Sequence, residues 1–120
     1  MKEEIKSRIY KWSIGLIKLI DGLDKNMSSQ VIAKQVLRSG TSVGANYVEA
    51  QAASSRKDFI NFIHYSLKSA NESKYWLCLL RDSNKIKGVE FDNFLDELDQ
   101  ISKILGASLI KLKRVRNLTF

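Results

Sequence analysis

Apolar side chains near the start of the chain recur at alternating steps of four and three residues. They are Ile5, Ile9, Trp12, Leu16, Leu19 and Leu23. This spacing places them on one stripe of a helix and predicts a helix over residues 2–24. Tyr10, Ile14 and Ile17 form a second apolar line beside the first. The second line indicates either a wide core face or a helix that also packs against another subunit.

Three further stretches have a helical pattern, and short polar connections separate them. The predicted helices cover residues 30–53, 56–83 and 90–114. Ser28 or Ser29 is expected to cap the second helix, and Ser55 the third, because a serine hydroxyl can accept a free N–H of the first turn. Four helices with short connections favour antiparallel neighbours. The sequence therefore predicts an all-α, antiparallel up-down-up-down four-helix bundle, as a single domain over residues 1–120.

The middle of the second predicted helix consists mostly of small residues. Gly40 and Gly44 lie four residues apart, and each costs about 1 kcal/mol relative to alanine inside a helix. Such a pair indicates that another backbone approaches closely on that face, and a kink is the alternative. A tight turn would place Gly44 level with residues 64–66 and Gly40 level with residues 68–70. We therefore expect the glycines to face small residues of the third helix.

The same register places Arg38 beside Glu72 and predicts an ion pair between the second and third helices. If the pair is buried, removing one partner would leave a buried charge unpaired and would destabilise the protein by about 3–5 kcal/mol. If the pair is exposed, it contributes little. The sequence leaves both versions open.

Positive charge is the main compositional feature. Twenty lysines and arginines against thirteen acidic residues give a net charge of +7, which favours phosphate-bearing partners. The candidates for phosphate contacts are Lys111, Lys113, Arg114 and Arg116 near the end of the fourth helix and, second, Arg56 and Lys57 at the start of the third. The alternative is a solvated helix end whose charges complement the helix dipole.

The chain shows no catalytic or metal-binding pattern. His64 is the only histidine and Cys78 the only cysteine, so neither a Cys/His metal cluster nor an activated thiol has the partners it needs. We expect His64 at the surface and Cys78 in the core. We also expect no enzymatic activity, no cofactor, no metal and no small-molecule substrate.

The location is expected to be cytoplasmic. The N-terminal residues mix acids with bases and lack the apolar core of a signal peptide. The most apolar run, residues 13–20, is too short to span a membrane. A single cysteine allows no internal disulfide and fits a reducing compartment. We therefore expect a soluble protein without a membrane partner.

A set of small, polar and aromatic residues in the middle of the chain carries a family resemblance. The set is Arg38, Thr41-Ser42-Val43, Ala45-Asn46, Glu49-Ala50, Ser54-Ser55-Arg56, Phe59, Glu72 and Tyr75-Trp76-Leu77. It resembles the four-helix-bundle family encoded in intervening sequences of bacterial 23S ribosomal RNA genes. Tyr47-Val48 departs from the pattern, since many members carry Ile-Ala there, and this alters packing.

The resemblance implies an antiparallel bundle that assembles as a homopentamer. It also implies a relation in fold to the accessory proteins of diversity-generating retroelements, which are basic pentameric bundles that bind nucleic acid and a reverse transcriptase. We expect an oligomer that binds RNA, associated with 23S rRNA, or DNA through phosphates. The alternative is a protein-interaction scaffold whose basic surface is incidental. The motif residues expected to make structural contacts within or between subunits are Arg38, Ser42, Asn46, Glu49, Glu72 and Trp76.

Overall fold

The computed structural model describes residues 2–118, with side chains described for residues 4–114. Its helices are α1 (Lys2–Asp21), α2 (Met27–Gln51), α3 (Arg56–Asp82) and α4 (Val89–Leu118). Each helix packs antiparallel to the next, and α4 closes the bundle by packing against α1 as well as α3. The predicted four-helix bundle is confirmed. Its extents are 53 × 24 × 22 Å.

The start of α2 differs from the predicted position. The helix begins at Met27 because the Asn26 side chain accepts a hydrogen bond of 3.0 Å from the Ser29 backbone N–H. Asparagine caps a helix as well as serine does, and this one comes first along the chain. The prediction of Ser28 or Ser29 as the cap was therefore wrong, and Ser29 is fully buried instead.

The cap of α3 and the break before α4 follow local chemistry. The Ser55 hydroxyl accepts a hydrogen bond of 3.1 Å from the Asp58 backbone N–H, which confirms the predicted cap. Gly88 has a φ of +124°, in the left-handed region that favours glycine. The helix α4 starts directly after it. Its end, Leu118, lies beyond the predicted boundary.

The predicted stripe of α1 faces the core. Its members Ile5, Ile9, Trp12, Leu16 and Leu23 are buried, and Leu19 is partly buried. The second apolar line lies at the surface of the chain, since Tyr10, Ile14 and Ile17 are 69%, 39% and 47% exposed. The core of one chain therefore does not cover this line, and the wide-core-face interpretation was wrong.

The most extensive interface, between α2 and α3, contains small polar side chains. The Ser39 and Ser73 hydroxyl oxygens lie 2.8 Å apart, and Ser66 donates to the Val43 carbonyl oxygen at 2.7 Å. All three serines are fully buried. Their small size allows the helices to approach closely, and their hydrogen bonds satisfy the buried hydroxyls.

Gly40 and Gly44 face α1, so the prediction that they face α3 was wrong. A Cβ atom on Gly40 would overlap the Leu16 side chain, and one on Gly44 would lie 3.2 Å from Ile9 Cγ2. The glycines make room for large side chains of α1 rather than for a second backbone. The helix α2 continues without a break through both glycines.

Aromatic and charged contacts set the register of α1 against α4. The Trp12 ring stacks on Phe94 with a centroid distance of 4.7 Å, and its Nε1 donates to the Phe94 carbonyl oxygen at 3.1 Å. Arg8 donates to both carboxylate oxygens of Glu97, at 2.9 and 2.7 Å. The hydrogen bond to Glu97 raises the pKa of the Arg8 guanidinium.

Across the residues that the structure describes, no helix has an apolar stretch long enough to cross a membrane.

Candidate nucleic-acid interface

The start of α3 and the last part of α4 meet at one end of the bundle. Arg56, the first residue of α3, donates from Nη2 to the Leu112 carbonyl oxygen at 3.0 Å. Lys111 and Lys113 flank Leu112 in the chain. Antiparallel packing of α3 and α4 therefore brings the two predicted groups of basic residues together.

Five described basic side chains at this end are exposed and form no ion pair with the carboxylates of residues 4–114. We use the name "basic end" for Arg56, Lys57, Lys111, Lys113 and Arg114, all of which are exposed. Among the described side chains, the ion pairs involve other cations. The sixth predicted residue, Arg116, belongs to α4, but its side chain lies outside the described residues.

Three basic residues along the side of the bundle, Arg8, Lys74 and Lys103, are paired with acids of α4. Lys103 and Lys74 contact the Asp99 carboxylate at 3.0 and 3.1 Å. The hydrogen bond from Lys103, followed by that from Lys74, lowers the pKa of Asp99, and the Asp99 carboxylate raises the pKa of Lys103. Arg8 is paired with Glu97 in the same way. These three cations therefore differ from the five of the basic end, which form no ion pair with the described carboxylates.

A cavity of about 430 Å³ opens beside the basic end, and all four helices line it. We call it the end cavity. Its apolar lining is Ile5, Tyr47, Phe59, Ile63, Ile104, Leu105 and Leu112, and its other lining residues are Gln51, Arg56, Ser108 and Lys111. The sequence pattern did not predict this cavity, because the pattern of one helix says nothing about how four helix ends enclose a space. Phe59, one of the lining residues, is only partly buried.

The predicted ion pair between Arg38 and Glu72 is present, in its exposed version. The two side chains are 56% and 38% exposed, so the buried version was wrong. Trp76 donates from Nε1 to Glu72 Oε2 at 2.9 Å. This hydrogen bond is the largest cause that lowers the pKa of Glu72, and Arg38 lowers it further. These three motif residues therefore join α2 to α3 within one chain.

The other motif residues lie along α2. The Ser42 hydroxyl donates to the Arg38 carbonyl oxygen at 2.8 Å, and Asn46 Nδ2 donates to the Ser42 carbonyl oxygen at 2.9 Å. Glu49 is exposed and lines a groove between α1 and α2. Arg38 lies about 20 Å along the helix axis from the end of α2, at 1.5 Å per residue. The Arg38–Glu72 pair and the basic end are thus separate surfaces.

Two residues considered for chemistry have ordinary surroundings. His64 is exposed, as predicted. Cys78 is half-buried rather than part of the core, because it faces a cleft lined by charged side chains that include Lys74 and Arg81. Over the described part of the chain, no group of three or more His, Cys, Asp or Glu residues is placed to hold a metal ion.

Comparison with known proteins settles the family. A sequence model of the 23S rRNA-intervening sequence protein family matches residues 4–107. The chain belongs to this family. The match includes the motif residues, Arg56 and Lys57, and it stops before Lys111, so the basic end of this 23S rRNA-intervening sequence family member lies partly outside the matched region.

A crystal structure has the same fold. It is that of a protein of unknown function from the S23 ribosomal protein family from Bacteroides thetaiotaomicron VPI-5482, with a TM-score of 0.84 and 36% sequence identity. The similarity covers 91% of this chain and 98% of that chain. A search of curated proteins found no match.

Proposed function

We propose that this protein is a non-enzymatic, oligomeric bundle that binds RNA through phosphate contacts at the basic end. The observation that carries the proposal is the gathering of five exposed basic side chains, without carboxylate partners among the described residues, at one end of the bundle. Guanidinium and ammonium groups are the usual donors to phosphate oxygens. The family name makes 23S rRNA the first candidate, and a cytoplasmic location is part of the proposal.

Binding of this kind depends steeply on salt. Each neutralised phosphate releases counterions, so five contacts would give a slope of log K against log salt of about −4. Filter binding of a structured 23S rRNA fragment, titrated at several salt concentrations, measures this slope.

A triple variant tests the assignment to the basic end. Lys111→Gln, Lys113→Gln and Arg114→Gln together should weaken binding and reduce the magnitude of the slope by about 2–3. Glutamine retains a high helix propensity, so α4 should persist. The matched control removes three exposed lysines at the other end of the bundle, namely Lys18, Lys25 and Lys87.

Two results would contradict the proposal. The first is no affinity for structured RNA at low salt. The second is an equal loss of affinity in the test and control variants, which would indicate a general effect of net charge. A protein partner captured after nuclease treatment, together with absent RNA binding, would favour the interaction scaffold instead.

We also propose that self-association uses the exposed apolar line of α1. Tyr10, Ile14 and Ile17 lie at the surface, and Val48 on α2 is 51% exposed nearby. A groove of about 710 Å³ lined by Tyr10 and Val48 runs between the two helices. Covering this surface with a second copy would remove apolar area from water, at about 25 cal/mol per Å². The homopentamer is the state that the family resemblance implies.

Light scattering after size exclusion tests this assembly. The expected mass is five times the 13.7 kDa of one chain. Ile14→Lys with Ile17→Lys should reduce the mass, because charged residues would be placed in an apolar interface. Val89→Lys serves as the control, since Val89 is 75% exposed and lies on α4. A wild-type protein with the mass of one chain would refute the proposal.

A further inference from the structure

The end cavity has the size and lining of a ligand site. Its volume of about 430 Å³ lies within the range of roughly 300–1,000 Å³ typical of small-molecule pockets. Most of its lining is apolar, and the partly exposed Phe59 offers an aromatic ring to it. A flat aromatic ligand could therefore stack on this ring.

Two cations lie where the cavity opens. Arg56 and Lys111 both line the cavity and are both exposed, so they stand between its apolar interior and solvent. The bond to the Leu112 carbonyl oxygen holds the Arg56 guanidinium in place and uses only part of its five N–H donors. The remaining donors suit an anionic group at the rim.

Polar side chains that can both donate and accept also line the cavity. Gln51 contributes an amide and Ser108 a hydroxyl, and both residues are exposed. Amides and hydroxyls form hydrogen bonds with the edges of nucleobases. The cavity thus combines a ring for stacking, groups that can bind a base edge and two cations.

We propose that the end cavity receives an unpaired nucleotide of the bound RNA, with the base against Phe59 and its phosphate at Arg56 and Lys111. The inference rests on the proposed function. The positive charge continues outside the cavity through Lys57 and Lys113, which suits a polymer of phosphates better than an isolated anion. The nucleotide must be unpaired, because bases within a duplex are stacked and their edges are occupied.

Fluorescence anisotropy with two RNA hairpins tests the proposal. The hairpins share one stem, which is fully paired in the first and carries a single-nucleotide bulge in the second. The wild-type protein should bind the bulged hairpin about tenfold more tightly, the range expected for one base stacked on an aromatic ring. The salt dependence should be similar for both hairpins.

Two variants locate the bulged nucleotide. Phe59→Leu keeps an apolar side chain but removes the ring, so the tenfold preference should largely disappear. Phe62→Leu is the control on the same helix, because Phe62 does not line the cavity. Its ring packs against Tyr65, with 6.0 Å between the ring centroids. Ser108→Trp fills the cavity from an exposed position and should abolish the preference without removing a buried contact. Circular dichroism checks that each variant is folded.

The outcomes separate this proposal from the proposed function. Equal binding of both hairpins, with a steep salt dependence, would overturn the nucleotide site and leave phosphate binding at the basic end intact. A preference that survives both Phe59→Leu and Ser108→Trp would also overturn it. Absence of binding to either hairpin at low salt would overturn both proposals.

Discussion

Gly40 lies where α2 packs against α1, at a position with no space for a side chain. A Cβ atom there would overlap the Cδ2 atom of Leu16, which is fully buried and cannot move towards solvent. Gly106 provides the matched comparison within α4, because the nearest atom to its Cβ would be Leu67 Cδ2 at 3.9 Å, an ordinary van der Waals distance. The same substitution is therefore expected to be less favourable at Gly40 than at Gly106.

The magnitudes follow from two opposing effects. Gly→Ala inside a helix stabilises by about 1 kcal/mol through helix propensity, and this gain applies to both positions. Overpacking a core costs about 1–3 kcal/mol and applies only to Gly40. Gly106→Ala should therefore raise the free energy of unfolding by about 1 kcal/mol. The free energy of unfolding of Gly40→Ala should be about 1–3 kcal/mol lower than that of Gly106→Ala.

Urea unfolding followed by circular dichroism measures the difference. All variants are compared at one protein concentration, because self-association would make stability depend on concentration. Gly44→Ala should fall between the other two, since its Cβ would lie 3.2 Å from Ile9 Cγ2. In a Leu16→Ala background, Gly40→Ala should cause no further loss of stability, because the clashing side chain is absent. A Gly40→Ala protein at least as stable as Gly106→Ala would refute the packing of α1 on this face.

Three further predictions concern caps, buried hydroxyls and pH. Ser55→Ala should destabilise the protein by about 1 kcal/mol in urea unfolding, because the first turn of α3 loses its hydrogen-bond acceptor. Ser66→Ala should cost about 1 kcal/mol, because the buried hydrogen bond from α3 to the Val43 carbonyl oxygen is lost. Glu72→Gln should cost less than about 1 kcal/mol at neutral pH, since the side chain is 38% exposed and solvent screens the pair. The lowered pKa of Glu72 means that its contribution is complete above the unfolded pKa of about 4.3 and is lost as pH falls through the folded value.

Thermal or urea unfolding checks each of these. Ser54→Ala is the control for Ser55→Ala, because Ser54 is exposed and precedes the cap. A Ser66→Ala protein as stable as the wild type would argue against the hydroxyl bond to α2. For Glu72, the stability gap between wild type and Glu72→Gln should narrow as the pH is lowered below about 4. A gap that widens towards acid pH would contradict the lowered pKa.

The helices of this protein follow from local patterns. The buried stripe of α1 could be predicted, because burial of one helix face requires apolar residues every three or four positions within that segment. The cap Ser55 was also predictable, since a cap acts within one turn. The start of α2 was missed because Asn26, Ser28 and Ser29 lie within one short stretch, and both asparagine and serine are good caps.

The candidate interface was predicted only as two separate groups of charges. Arg56 and Lys111 could be named from composition, yet their proximity depends on the antiparallel packing of α3 and α4. The end cavity had no signal along the chain, because four helix ends enclose it. The pairing of Arg38 with Glu72 was predictable from the register across one short turn, whereas its exposure was not.

The helical periodicity and the order and antiparallel register of neighbouring helices were predictable from the chain alone, because they depend on spacing and on short connections. The positive charge follows directly from composition. Which neighbour each helix face meets depends on the packing of all four helices. Gly40 illustrates the reason: register along the axis places it level with α3, but a helix turns about 100° per residue, and this rotation points Gly40 at α1 while Ser39 contacts α3. In the same way, the orientation of all four helices decides that Phe59 lines a cavity beside the basic end.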